Sequence, residues 1–105
     1  MDGYEPKINI PTEKITEFCR KWKIREFSFF GSILRNDFRP DSDVDVLVEF
    51  EPNHGWGLYE VLDMEDELKS LLGREVDLVM KGGLHNPIRR HEILRTRKVM
   101  YAAGA

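Results

Sequence analysis

The 105 residues contain one cysteine, Cys19, so neither an internal disulfide nor a cysteine-rich zinc site can form. No apolar run approaches the ~20 residues needed to span a bilayer, and no membrane segment is expected. Met1 to Pro11 lacks the basic stretch and following apolar block of an export signal, which makes the cytoplasm the expected compartment. Internal repeats, low-complexity tracts and Pro/Gly/Ser linkers are also missing, so residues 1–105 read as one domain. Nor is there an excess of positive charge: 16 Lys and Arg stand against 19 Asp and Glu, a net −3 that argues against direct nucleic-acid binding. The balance is uneven along the chain. From Lys81 to Lys98 the charges are Lys81, Arg89, Arg90, Arg95, Arg97 and Lys98 against the single acid Glu92, either a solvated helix face or a surface that attracts phosphate or a partner.

What is present is an alternation of helical and strand patterns. Ile15, Phe18, Cys19 and Trp22 recur at helical spacing after Pro11-Thr12, with Thr12 placed to cap the first turn. Cys19 reads as a core residue of that helix. Glu26 to Phe30 is rich in strand formers and ends at Gly31, where the chain can turn without a side-chain clash. Ser32 to Asn36 then reads as a short helix or turn, and Asp37 to Asp41 as a loop. Between Ser42 and Phe50 the residues alternate, with Val44, Val46, Val48 and Phe50 on one face and Asp43, Asp45, Leu47 and Glu49 on the other. Leu58, Val61, Leu62, Leu68 and Leu72 mark a second helix stopped by Gly73. A strand follows over Glu75 to Met80. Asn86-Pro87 opens a short last helix over Ile88 to Leu94, and Val99 to Tyr101 adds an edge strand. Exposed strand edges in a small domain make self-association or partner pairing plausible.

The chemistry lies in the stretch from Phe30 to Val48. Gly31 allows backbone amides to approach a phosphate, and the Ser32 hydroxyl and amide can bind one. Arg35 either neutralises phosphate or clamps its loop to the strand. Asp43 and Asp45 carry carboxylates on a rigid strand, suited to hard cations such as magnesium. Two such ions ~3.5 to 4 Å apart would neutralise the attacking and leaving oxygens of an in-line nucleotidyl transfer. Asp41, Asp43 and Asp45 also mimic the start of an EF-hand loop, but that loop needs Gly sixth and Glu twelfth, where this chain has Val46 and Pro52. From the residues alone Asp77 is either a strand-end charge, a salt-bridge partner of Arg74 or Lys81, or a third site carboxylate. His54 and Trp56 suggest a loop or a packed tryptophan before an adenine platform, and His85 and His91 lack zinc-site spacing.

The run from Phe30 to Val48, continued by Leu71-Leu72-Gly73-Arg74-Glu75-Val76-Asp77-Leu78-Val79, resembles the signature of the polymerase-beta nucleotidyltransferase superfamily and its minimal nucleotidyltransferase branch. The resemblance covers most of the chain from about residue 27 onward. It implies an α/β (α+β) fold with a small mixed β-sheet and helices packed on one side. It also implies that Asp43 and Asp45 hold two Mg2+ ions, that Asp77 completes the metal nearer the acceptor and helps deprotonate its hydroxyl, and that Gly31, Ser32 and Arg35 hold ATP. The family's Gly-Ser-x-Ala-Arg-Gly pattern becomes Gly31-Ser32-Ile33-Leu34-Arg35-Asn36 here, and Asn36 can adopt the left-handed backbone that glycine often supplies. Minimal nucleotidyltransferases are commonly antitoxins of HEPN-domain ribonuclease toxins, so the resemblance implies transfer of AMP to a tyrosine of such a partner. The alternatives are neutralisation by binding alone and transfer to a small hydroxylated compound.

Overall fold

A computed structural model describes residues 10–36 and 38–103. The amino-terminal stretch read for an export signal lies mostly outside these residues, as does Asp37 of the expected loop. The elements run α1 (Thr12–Lys21), β1 (Ile24–Phe30), a 3-10 turn (Gly31–Leu34), β2 (Val44–Phe50), α2 (Leu58–Leu72), β3 (Val76–Met80), a second 3-10 turn (Lys81–Gly83), α3 (Pro87–Thr96) and β4 (Lys98–Ala102). The strands form one mixed sheet in the order β3-β2-β1-β4. β1 is antiparallel to both β2 and β4, whereas β2 and β3 are parallel, joined through α2. None of the described helices is long and apolar enough to cross a membrane.

Period-2 patterning sorts the sheet residues into two faces. Phe27, Phe29, Val44, Val46 and Val48 point to one side, where Ile15, Phe18 and Cys19 of α1 and Met64 and Leu68 of α2 close the main core. The Phe27 ring meets Phe18 and Phe29 edge-on, at centroid distances of 6.3 and 5.5 Å. Burial of Cys19 pushes its thiol up to about 12, as expected of a packing residue that does no chemistry. The other face carries Asp45, Glu49 and Asp77, but Phe30 and Leu47 also lie there and need cover. Leu84 and Ile93 of the α3 region provide it in a second, smaller cluster. Helices were expected on one side of the sheet; α1 and α2 take that side, and α3 takes the opposite one.

One local expectation is corrected. Thr12 lies inside α1, Pro11 stands at the cap position, and no side chain caps that end. The second helix read from Leu58, Val61, Leu62, Leu68 and Leu72 is α2, whose buried stripe runs through Met64 and Leu68 while Leu58 and Leu62 remain 71% and 47% exposed. At 100° per residue, Leu58 and Leu62 lie about 100° and about 140° around the helix from the Met64–Leu68 stripe that faces the sheet. Gly73 ends α2 in the left-handed conformation, φ 67°, as read from the sequence. Trp56 is pinned rather than loose: its Nε1 donates to the Trp22 carbonyl at 2.6 Å and its ring meets Trp22 edge-on. It packs and is not held ready for a base.

The two leucine positions separate these readings of α2. Leu68→Ala should lower unfolding free energy by about 2–5 kcal/mol, whereas Leu62→Ala should change it by no more than about 0.5 kcal/mol, both read from urea denaturation.

Candidate functional site

β1 delivers the chain to Gly31, whose φ of +76° lies in the left-handed region. A second constraint acts at the same residue, since a Cβ there would collide with Oδ2 of Asp45. The close approach follows from strand register, in which Phe30 is paired with Asp45. Any side chain at position 31 would therefore strain the backbone and displace that carboxylate. The 3-10 turn is then closed by the Arg35 amide, which donates to the Ser32 carbonyl at 2.9 Å.

Parallel pairing of β2 and β3 sets Asp45 opposite Asp77, on strands separated by about 4.8 Å. Asp43 lies one residue before the first residue of β2 and is exposed. The strand read from Ser42 therefore begins two residues later, and Asp43 belongs to the end of the loop. That loop is braced from β3's side: Arg74 donates to the carbonyls of Arg39 and Pro40 at 3.0 and 3.1 Å and stacks on the Phe38 ring. Lys81 pairs with Glu49 at 3.5 Å. The two salt-bridge partners considered for Asp77 are thus engaged elsewhere, and its exposed carboxylate is left facing Asp45.

Burial raises the Asp45 carboxyl above the ordinary aspartate range; the negative charges of Asp77 and then Asp43 push it further, while Arg35 and Arg89 pull it back. Among the described residues no three His, Cys, Asp or Glu side chains converge closely enough to form a metal-holding group. The donor set nonetheless fits magnesium, which is commonly bound by one or two carboxylates with the remaining oxygens from water and substrate phosphate. Mutually repelling carboxylates, one of them half-buried and reluctant to ionise, are what a divalent cation would relieve.

A pocket of about 420 Å³ opens beside Asp45, a size ordinary for a small-molecule site. Gly31, Arg35 and Asp45 share its wall with the apolar side chains Phe30, Leu34 and Ile93. Ser32, Asp43 and Asp77 lie outside that wall, Ser32 as the neighbour of Gly31 and the two aspartates through their charge on Asp45. The far wall belongs to α3, through Arg89, Glu92, Arg95 and Thr96. These residues were not read from the sequence as a site. The only signal was the excess of basic charge after Lys81, which the structure divides between internal pairing and this pocket. His85 and His91 are exposed and belong to no metal-holding group among the described residues.

The sequence profile of the nucleotidyltransferase domain family matches residues 12–100. A protein adenylyltransferase of Thermococcus cleftensis, MntA, is 38% identical over 93 residues, which cover 89% of this chain and 89% of that protein. Among solved structures, a minimal nucleotidyltransferase superposes with a TM-score of 0.68 at 35% identity, covering 83% of this chain and 86% of that one. A chain from the complex of a tri-AMPylated HEPN toxin of Shewanella oneidensis with its MNT antitoxin gives a TM-score of 0.64. It is 20% identical, with 87% of this chain and 69% of that one covered, a likeness of fold.

The raised Asp45 carboxyl gives a stability prediction for metal-free protein. A folded pKa above the unfolded value means that the fold disfavours the ionised form, so the charge costs stability at neutral pH. That cost fades as pH falls through the folded pKa. Asp45→Asn should accordingly raise the metal-free Tm at pH 7, and the gain over wild type should shrink in scans at progressively lower pH.

Proposed function

Because the chain belongs to the nucleotidyltransferase domain family, we propose that it is an antitoxin protein adenylyltransferase, which moves AMP from ATP to a tyrosine hydroxyl of a HEPN-type RNase toxin in the cytoplasm and so silences it. One observation carries the reading. The Asp45 carboxylate shares a pocket with Gly31 and Arg35 while meeting Asp77 across the parallel strand pair. The adenylyltransferase named among the relatives, similar over nearly its full length, supports the choice of AMP and of a protein acceptor. The fold shared with the MNT antitoxin of a HEPN toxin complex supports the choice of partner.

In this mechanism the bare Cα of Gly31 lets the backbone and the Ser32 hydroxyl come up to the triphosphate, and the Arg35 guanidinium holds its charge. Phe30, Leu34 and Ile93 offer an apolar wall for the nucleoside. Asp77, exposed on β3, orients the tyrosine hydroxyl and takes its proton as the oxygen–Pα bond forms. The bond from Pα to pyrophosphate breaks on the opposite side. Two magnesium ions, held by Asp43, Asp45 and Asp77, would neutralise the attacking and leaving oxygens when bound.

The test is intact-mass spectrometry of the HEPN protein after incubation with this chain, ATP and magnesium. A gain of one or more AMP units is expected, slowed roughly a hundredfold or more by Asp77→Asn and by Asp43→Asn/Asp45→Asn. An unmodified toxin that is still bound and inhibited would replace catalysis with neutralisation by contact. A toxin neither bound nor modified would redirect the search to a small hydroxylated acceptor.

A further inference from the structure

The basic run on α3 separates into arginines that build the fold and one that does not. Arg90 donates to the Lys81 carbonyl at 3.0 Å, and Arg95 pairs with Glu92 at 2.7 Å. Arg97 bridges the Leu94 carbonyl and Glu26 at 2.8 and 3.2 Å. Arg89 differs. Among the described residues its guanidinium has no hydrogen-bond or ion-pair partner. Its backbone is nevertheless fixed, because the Arg89 and Ile88 amides both donate to Oδ1 of the Asn86 cap, at 3.1 and 3.0 Å.

That cap has a further consequence. With the two amides occupied by Asn86, the start of α3 has less to offer an anion through its backbone, and positive charge on this wall must come from a side chain. Arg89 of α3 lines the same pocket as Gly31, Arg35 and Asp45. It also acts on Asp45 through space, opposing the rise that burial and Asp77 cause. A guanidinium that makes no hydrogen bond or ion pair among the described residues and lines a pocket shared with the Gly31 turn has the charge and fork geometry to bind phosphate oxygens.

We propose that Arg89 is a ligand for the β- and γ-phosphates of the nucleotide, reaching from α3 into the pocket that Gly31 and Arg35 also line. The assignment rests on the nucleotidyltransferase reading but not on the identity of the acceptor. It makes α3 part of the nucleotide site, where the fold alone would make it only a cover for Phe30 and Leu47. Binding selectivity follows: Arg89 should distinguish nucleotides by phosphate number and contribute little to recognition of the nucleoside.

The experiment is isothermal titration of the full chain, without acceptor, using magnesium ATP, AMP and inorganic pyrophosphate as probes. For Arg89→Ala, ATP and pyrophosphate should bind about tenfold more weakly, AMP should be unaffected and the Tm unchanged. Arg89→Lys should recover part of the ATP affinity, and Ile88→Ala, altering the exposed preceding residue, should behave as wild type. Unchanged ATP binding by Arg89→Ala would overturn the assignment, as would equal loss for ATP and AMP, which would make Arg89 a shaper of the pocket. Wild-type protein that binds neither ATP nor pyrophosphate would overturn it together with the proposed nucleotidyl transfer. A selective loss in Arg89→Ala beside a HEPN protein that is never modified would support the assignment while removing the proposed acceptor.

Discussion

The parallel pairing of β2 with β3 is the constraint on which the site depends. Parallel strands cannot be joined by a tight turn, so the chain must leave the sheet after Phe50, pass through α2 and return at Val76. The register of that return sets Asp45 against Asp77. A slip of one residue would turn Asp77 into the apolar core and bring Val76 or Leu78 out beside Asp45. Val76 lies against the core under α2, which makes the slipped register costly. The position of the acids is thus held by the apolar residues between them.

Holding them has a cost. Asp45 is half-buried beside two like charges, an arrangement that disfavours its ionised form. The core on the opposite face offsets this, with Phe18, Phe27, Phe29, Met64 and Leu68 all fully buried. The two faces of one sheet therefore have different tasks. One is closed by α1 and α2 around aromatic and branched side chains, and the other keeps its carboxylates near water under the partial cover of α3. Gly31 joins these tasks, since the same absence of a side chain permits its left-handed turn and leaves room for the Asp45 carboxylate.

Arg74 shows how a residue beside the motif can serve it indirectly. It was weighed in the sequence as a partner for Asp77, yet its guanidinium reaches back to the Arg39 and Pro40 carbonyls and covers Phe38. Those contacts fix the loop that leads into Asp43. Lys81 likewise turns to Glu49 at the far end of the strand. Asp77 is left to Asp45.

Much of this could be read from residue order because it depends on local periodicity. Alternation from Val44 to Phe50 assigns the valines to one face and Asp45 to the other, and no distant contact is needed to infer it. Gly31 after an aromatic strand, Gly73 after a helix and Asn86-Pro87 before one are legible for the same reason, since each meets a backbone requirement within a few residues. The rotation of α2 was not legible: its apolar residues exceed one stripe, and only contact with the sheet chose Met64 and Leu68 over Leu58 and Leu62. Nor could a run of six basic residues reveal which were bound to carbonyls and acids elsewhere in the chain and which line the pocket. The sequence by itself determined the strands, the turns and the face of β2 that carries Asp45, all set by neighbours along the chain. Tertiary structure alone decided that α3 crosses to the acidic face and brings Arg89 into the pocket that Arg35 lines, because that placement depends on Leu84 and Ile93 covering Phe30 and Leu47, distant in order but adjacent in space.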